Sequence, residues 1–188
     1  MNAVHYGVPQ SRERIIFIGV RNDLSLTPTH PLGEHRLITV KDALLGCAPS
    51  EIMPVAGRNL QMIRNIRPGA SSAQRRAAAI RVFGKTRNFS FLRLAWSKPS
   101  PTIAKTMRVS KSFGAGMVMP DEDRYVSISE LKRLASFPDQ FEMIGSFEDK
   151  WARIGNSVPQ FLMWRIAEHL KTRILQSIER RYAVPAAA

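Results

Sequence analysis

An α/β fold is predicted for this 188-residue chain by three features of its sequence. An apolar run, Ile15-Ile16-Phe17-Ile18, ends near Arg21-Asn22-Asp23 and reads as a strand from Ile15 to Val20 buried on both faces. Helix-start residues recur at Thr39, Ser71, Ser127 and Ser157. After the last of these, Leu162, Ile166, Leu170 and Ile174 fall on one side of a long helix. A chain of this length buries one ordinary core, or one small domain plus part of another.

Taken in order, Arg12 and Arg14 lie two residues apart and share a face at the mouth of the first strand. Thr39 as a cap, with Asp42 in the first turn, predicts a short helix over 40–45 that Gly46 ends. Ser71 and Gln74 form a capping box for a helix running to about Arg81, with Gly84 as its stop. From Pro99 to Pro120, Pro, Ser, Thr and Gly alternate with short apolar stretches, which predicts strands and loops. Ser127 and Glu130 cap a helix ended by Phe137-Pro138. Ser157-Val158-Pro159-Gln160 reads as the capping box of the long helix, whose other faces carry Arg165, Glu168, Lys171 and Arg173. The tail 183–188 is expected to fray.

The formal charge of +13 is unevenly placed. Residues 52–120 hold thirteen Lys and Arg and no Asp or Glu, whereas the rest holds fifteen of each sign. A long span without an acid suits a polyanion, because each phosphate neutralised releases condensed counterions. Double-stranded DNA is the expected partner, with Arg75, Arg76, Arg81, Lys85, Arg87, Thr102, Lys105, Arg108 and Lys111 as the candidate contacts. The single cysteine, Cys47, excludes an internal disulfide and fits a reducing cytoplasm. The run at 15–20 is too short to span a bilayer, so no membrane role is expected.

Three motif blocks carry the chemistry. The first is Asn2-Ala3-x-x-Tyr6-Gly7-Val8-Pro9-Gln10-x-Arg12-x-Arg14. An Arg-x-Arg before a strand is by itself an ordinary surface pair; the complete string is far more specific. The second runs from Arg124 to Phe141 and includes Glu130, Arg133, Leu134, Phe137 and Pro138. The third is Gly155-Asn156-Ser157-Val158-Pro159. In this order they resemble motifs VIII, IX and X of the DNA cytosine-5 methyltransferases, which act in restriction-modification. Thr102-Ile103 is similar to a Thr-Leu element of that family's target-recognition region. Departures occur in the second block, where Ser129 stands for the usual Arg and Ala135 for the usual Gln.

The resemblance implies a Rossmann-like methyltransferase domain with an inserted small recognition domain, of which this chain is the C-terminal portion. Residues 1–50 would be the end of the catalytic sheet, 51–123 the recognition region, and 124–182 the returning helices. It implies S-adenosyl-L-methionine as cofactor, with Asn156, Ser157 and Val158 as candidate contacts at a helix entrance, where free N–H groups and the positive dipole end suit a carboxylate. Arg14 would contact the target cytosine and Arg12 would support it. In the family a thiolate attacks C6 of a flipped cytosine, and donors near N3 and O2 take up the displaced charge.

The family's Pro-Cys nucleophile, its Phe-x-Gly-x-Gly cofactor loop and its Glu-Asn-Val are absent from this sequence, and Cys47, in Gly46-Cys47-Ala48, does not replace the first. The expectation is therefore a DNA-recognising part without catalysis of its own. Either an N-terminal half supplies the Pro-Cys and the cofactor loop, or the chain is a relic that at most binds DNA. The alternatives differ in one structural property, because an exposed apolar surface along Ile15 to Val20 favours the first.

Overall fold

The computed structural model describes residues 1–34, 36–85, 91–107 and 116–182. Arg87, Arg108, Lys111 and the tail lie outside the described residues. The chain is mostly helical around a small sheet: α1 (Val40–Leu44), α2 (Gly57–Arg64), α3 (Ser72–Phe83), β1 (Leu92–Arg93), β2 (Met117–Val118), α4 (Ile128–Leu134), α5 (Phe147–Asn156), α6 (Gln160–Leu170) and α7 (Gln176–Tyr182). The two strands run parallel, with Leu92 opposite Met117 and Arg93 opposite Val118.

Three predicted starts form as reciprocal capping boxes, Thr39 with Asp42, Ser71 with Gln74 and Ser127 with Glu130. Gly84 closes α3 in the left-handed conformation (φ 72°), where a side chain is disfavoured. Two helices were not foreseen. For α5 the signal was present, because Ser146 and Asp149 form a fourth capping box. For α2 it was not: Ala56 makes no side-chain cap bond, and the helix is held by burial of Met62 and Ile63.

The main core joins residues from Val40 to Ile154, with Trp151, Tyr125, Phe91, Leu131 and Leu134 fully buried. A second, smaller cluster packs Ala3, Tyr6 and Val8 of the N-terminal turn against Leu162 and Ile166 of α6. The first motif block and α6 therefore share one core, although they stand far apart in the sequence.

Two expectations are corrected. The segment from Ile15 to Val20 is not a strand buried on both faces. It joins no ladder, alternate residues are half-buried, and Ile15 and Phe17 are 81% and 92% exposed. Among the described residues no backbone N–H of this segment finds an acceptor, and the Ile16 carbonyl accepts a bond only from His30 Nε2 (3.0 Å). The period of two survives because one side rests on the chain; the second face stays open because, among the described residues, no strand lies beside it. Likewise Ser157 does not cap the long helix. Its hydroxyl turns back to the Ile154 carbonyl (2.7 Å), and α6 starts after Pro159 with no side-chain cap from its own N-cap residue. Beyond α6 the chain passes through a π turn (Lys171–Leu175) into α7.

Candidate nucleic-acid and cofactor site

The first motif block is fixed by pairing with the Pro99–Ile103 segment. Ser11 N–H donates to the Ser100 carbonyl (2.7 Å), Ser100 N–H to the Pro9 carbonyl (2.9 Å), and the Thr102 hydroxyl to the Ser11 carbonyl (2.7 Å). Gln10, almost wholly buried, donates to the Leu134 carbonyl (3.3 Å) and accepts from Ile103 N–H (3.4 Å). The Asn2 side-chain oxygen receives the Arg12 N–H (3.0 Å). Thus the Asn, the Gln and the first Arg of the block are structural anchors.

Arg12 is buried, and its guanidinium forks between two main-chain segments. One amino group donates to the Ile103 carbonyl (3.2 Å) and the other to the Gly155 carbonyl (2.9 Å), while Nε finds no partner among the described residues. Burial, and then the nearby charge of Arg14, hold its pKa below the usual arginine value. Arg14 differs: it is only half-buried, its side chain donates to the Glu13 carbonyl, and it lines a cleft of about 320 Å³ with Met1, Asn2, Glu13 and Ile15. Of the two arginines, Arg12 is thus enclosed by main chain and Arg14 is the one open to a ligand.

In the second block Arg124 and Glu130 form a buried bidentate pair (both contacts 2.8 Å), and Glu130 also receives Ser127 N–H (2.8 Å). Burial opposes the Glu130 charge, but the Arg124 guanidinium and the Ser127 amide outweigh it and keep its pKa below the ordinary carboxylate value. Arg133 clamps Asp139 and reaches the Leu45 carbonyl (2.7 Å). Ser129, where the family has Arg, holds the 48–50 loop by donating to the Ala48 carbonyl and accepting Ser50 N–H, each at 2.9 Å. Every one of these contacts is structural.

At the third block Asn156 is exposed, and its side chain has no bond among the described residues; Val158 N–H is likewise without an acceptor there. Ser157 N–H and hydroxyl are both spent on α5 carbonyls. Of the three predicted contacts, the Asn156 side chain at the end of α5 and the Val158 N–H are therefore the donors left free among the described residues, and Ser157 is not.

The basic candidates are spread more widely. Arg75 folds back onto its own helix start, donating to the Ala70 carbonyl (2.7 Å) and Ser72 (3.0 Å), and Arg81 reaches Asn65 (3.3 Å). Arg76, Lys85, Thr102 and Lys105 are exposed. Thr102 belongs to the segment paired with the first motif and Lys105 follows it, whereas α3 packs on α2. Cys47 is half-buried, and burial raises its thiol pKa, the opposite of an activated nucleophile. Among the described residues no group of His, Cys, Asp and Glu could hold a metal, and no helix is long and apolar enough to cross a membrane.

Sequence reasoning missed an apolar cleft of about 580 Å³ in which Phe161 and Trp164 of α6 face Ile38, Ala43, Phe137 and Pro138. Both aromatic side chains are half-exposed. They sit off the Leu162–Ile166 row that the periodicity singled out, and that was the one available signal.

The C-5 cytosine-specific DNA methylase family model matches residues 1–172. Type II methyltransferase M.Eco47II of Escherichia coli is 26% identical over 96% of this chain and 46% of its own length. Type II methyltransferase M.PspPI of Psychrobacter sp. is 30% identical over 84% of this chain and 41% of its own. The chain thus spans about half the length of the curated relatives it matches. A solved Escherichia coli prophage protein, provisionally assigned as a DNA modification methyltransferase, superimposes with a TM-score of 0.60 at 20% identity, covering 93% of this chain and 59% of that one. With anchored motifs in the family's order and a family match over nine-tenths of its length, the chain belongs to the C-5 cytosine-specific DNA methylases.

Proposed function

We propose that this chain is the C-terminal, DNA-recognising part of a DNA cytosine-5 methyltransferase, and that it transfers no methyl group alone. The observation that carries the reading is the segment Ile15 to Val20. The motif that should point Arg14 at the target base leads straight into an apolar run whose outer face is open and whose backbone N–H groups are unpaired among the described residues. An unpaired edge with exposed Ile15 and Phe17 is a surface for further strands. The chain's span of about half its relatives and the absence of a Pro-Cys agree with this. An N-terminal half bringing the nucleophile and the cofactor loop would complete the sheet, and this surface favours that account over a relic that only binds DNA.

In such an assembly the bound S-adenosyl-L-methionine supplies the methyl group. The residues of this chain would orient and stabilise: Arg14 donates to the cytosine ring as it gains charge, Arg12 fixes the backbone beneath it, and Asn156 with Val158 N–H receive the cofactor's carboxylate. The basic span 52–120 would grip the duplex.

The test is transfer of labelled methyl groups to DNA. The purified chain is expected to show none, and to gain activity when mixed with a polypeptide carrying the family's Pro-Cys and cofactor-loop motifs. Transfer by the chain free of other proteins sinks the reading.

A further inference from the structure

Gly155 has no room for a side chain. A Cβ there would meet the Ala104 carbonyl oxygen at 2.7 Å, its carbon at 2.8 Å and the Lys105 nitrogen at 2.8 Å, all backbone atoms. The Thr102–Lys105 segment therefore rests directly on the residue that precedes the Asn156–Val158 loop. Two bonds fasten the contact. Trp151 Nε1 donates to the Ala104 carbonyl (3.0 Å), and the buried Arg12 guanidinium holds Ile103 and Gly155 together through their carbonyls.

We propose that Arg12 and Gly155 form a positioning link through which DNA engagement at Thr102–Lys105 sets the geometry of the Asn156–Val158 loop, so that duplex binding steadies the cofactor side of the site. The proposal rests on the reading above, in which the first segment faces DNA and the second the cofactor. Its physical basis is contact without slack. Close-packed backbone cannot shift on one side without shifting the other, and a planar guanidinium shared by two carbonyls fixes their separation in a way an ammonium cannot. Coupling of this kind is reciprocal, so a steadied loop would also favour the DNA-binding arrangement. Exposed Thr102 and Lys105 lie within three residues of the contact, close enough for a phosphate to pull on it.

The test uses the full 188-residue chain and a short cytosine-containing DNA duplex. Two quantities are read: the salt dependence of duplex binding, and amide hydrogen exchange at Gly155–Val158. Saturating duplex is expected to slow that exchange by about tenfold. Arg12→Lys, whose ammonium serves one carbonyl well but not both, should bind the duplex with an unchanged salt slope and show no slowing. A wild-type chain that binds the duplex with unaltered exchange at 155–158 overturns the link and leaves the DNA-recognition reading standing; slowing that persists in Arg12→Lys also overturns it. A chain that binds no duplex even at low salt removes both. Should Arg12→Lys fail to fold, Gly155→Ala approaches the link from the loop side. Its methyl must displace Ala104, and duplex affinity is expected to fall about fivefold or more at an unchanged salt slope. Unchanged affinity in that variant overturns the proposal.

Discussion

The Ser136 hydroxyl accepts the Phe161 backbone N–H at 3.2 Å, so a residue of the second motif block caps the helix that follows the third. Ser136 is held at φ 62°, a conformation that favours glycine. Two opposed effects therefore meet in one side chain. Ser136→Ala keeps the strain and loses the cap, and should destabilise by about 1–2 kcal/mol. Ser136→Gly loses the cap and relieves the strain, and should lie within about 0.5 kcal/mol of wild type. Urea denaturation of the pair settles it: equal losses would mean that the backbone at Ser136 carries no strain, and an alanine variant as stable as wild type would mean that the hydroxyl does not cap.

Arg12 and Arg14, two residues apart, should respond oppositely to truncation. Arg12→Ala strands the Ile103 and Gly155 carbonyls in the interior and is expected to cost about 2–3 kcal/mol. Arg14→Ala removes a half-exposed side chain and should change stability by about 0.5 kcal/mol or less. Denaturation midpoints at constant slope provide the comparison.

The buried Arg124–Glu130 pair makes stability depend on acid. The Glu130 pKa is depressed in the folded chain, so its contribution is complete above the unfolded carboxylate value of about 4.3 and is lost as pH falls through the lower folded value. Glu130→Gln removes the buried counter-charge of Arg124 but leaves its pair with the more exposed Glu122 (2.7 and 3.0 Å), and should cost about 1–3 kcal/mol at neutral pH. The variant's stability should also fall less steeply below about pH 4. A wild-type and variant profile of equal steepness there would contradict the assignment.

Phe17 projects into solvent, so Phe17→Asp should leave chain stability within about 0.5 kcal/mol while reducing binding of a hydrophobic dye. Under the proposed assembly the same variant should lose complementation by an N-terminal half. Loss of fold on this substitution would mean the segment is buried in the isolated chain after all.

Lys105→Ala should weaken duplex binding uniformly across sequences and reduce the salt slope by about 1. Arg75→Ala should alter it less, because Arg75 already spends its donors on Ala70 and Ser72. Titrations at several salt concentrations distinguish the two.

What could be read in the sequence was local. Thr39, Ser71 and Ser127 announced their helices because a capping box needs only residues three apart. The same rule misled at Ser157, where the preceding helix α5 claimed the hydroxyl first. The strand reading of Ile15 to Val20 erred for a complementary reason: composition states what a segment would bury, not whether a neighbour is at hand. Arg12 was placed at the site by its motif, yet its fork to Ile103 and Gly155 joins positions 91 and 143 residues away, a relation no local pattern contains. The α6 aromatics were passed over because periodicity marks the inward row and is silent about the outward one.

The π turn at Lys171–Leu175 changes the phase of the chain's last helix. An i to i+5 turn takes in one residue more than an α turn, so every side chain beyond it is rotated from where an unbroken helix would place it. Arg181, in the following stretch, points at the Leu24 and Ser25 carbonyls (3.1 and 3.3 Å). The extra residue thus acts as a screw adjustment on the end of the helix, setting which side chain meets the loop after Val20. Removing one residue between Lys171 and Leu175 would restore the regular winding and carry Arg181 away from that loop, leaving the open segment beside it less firmly tethered.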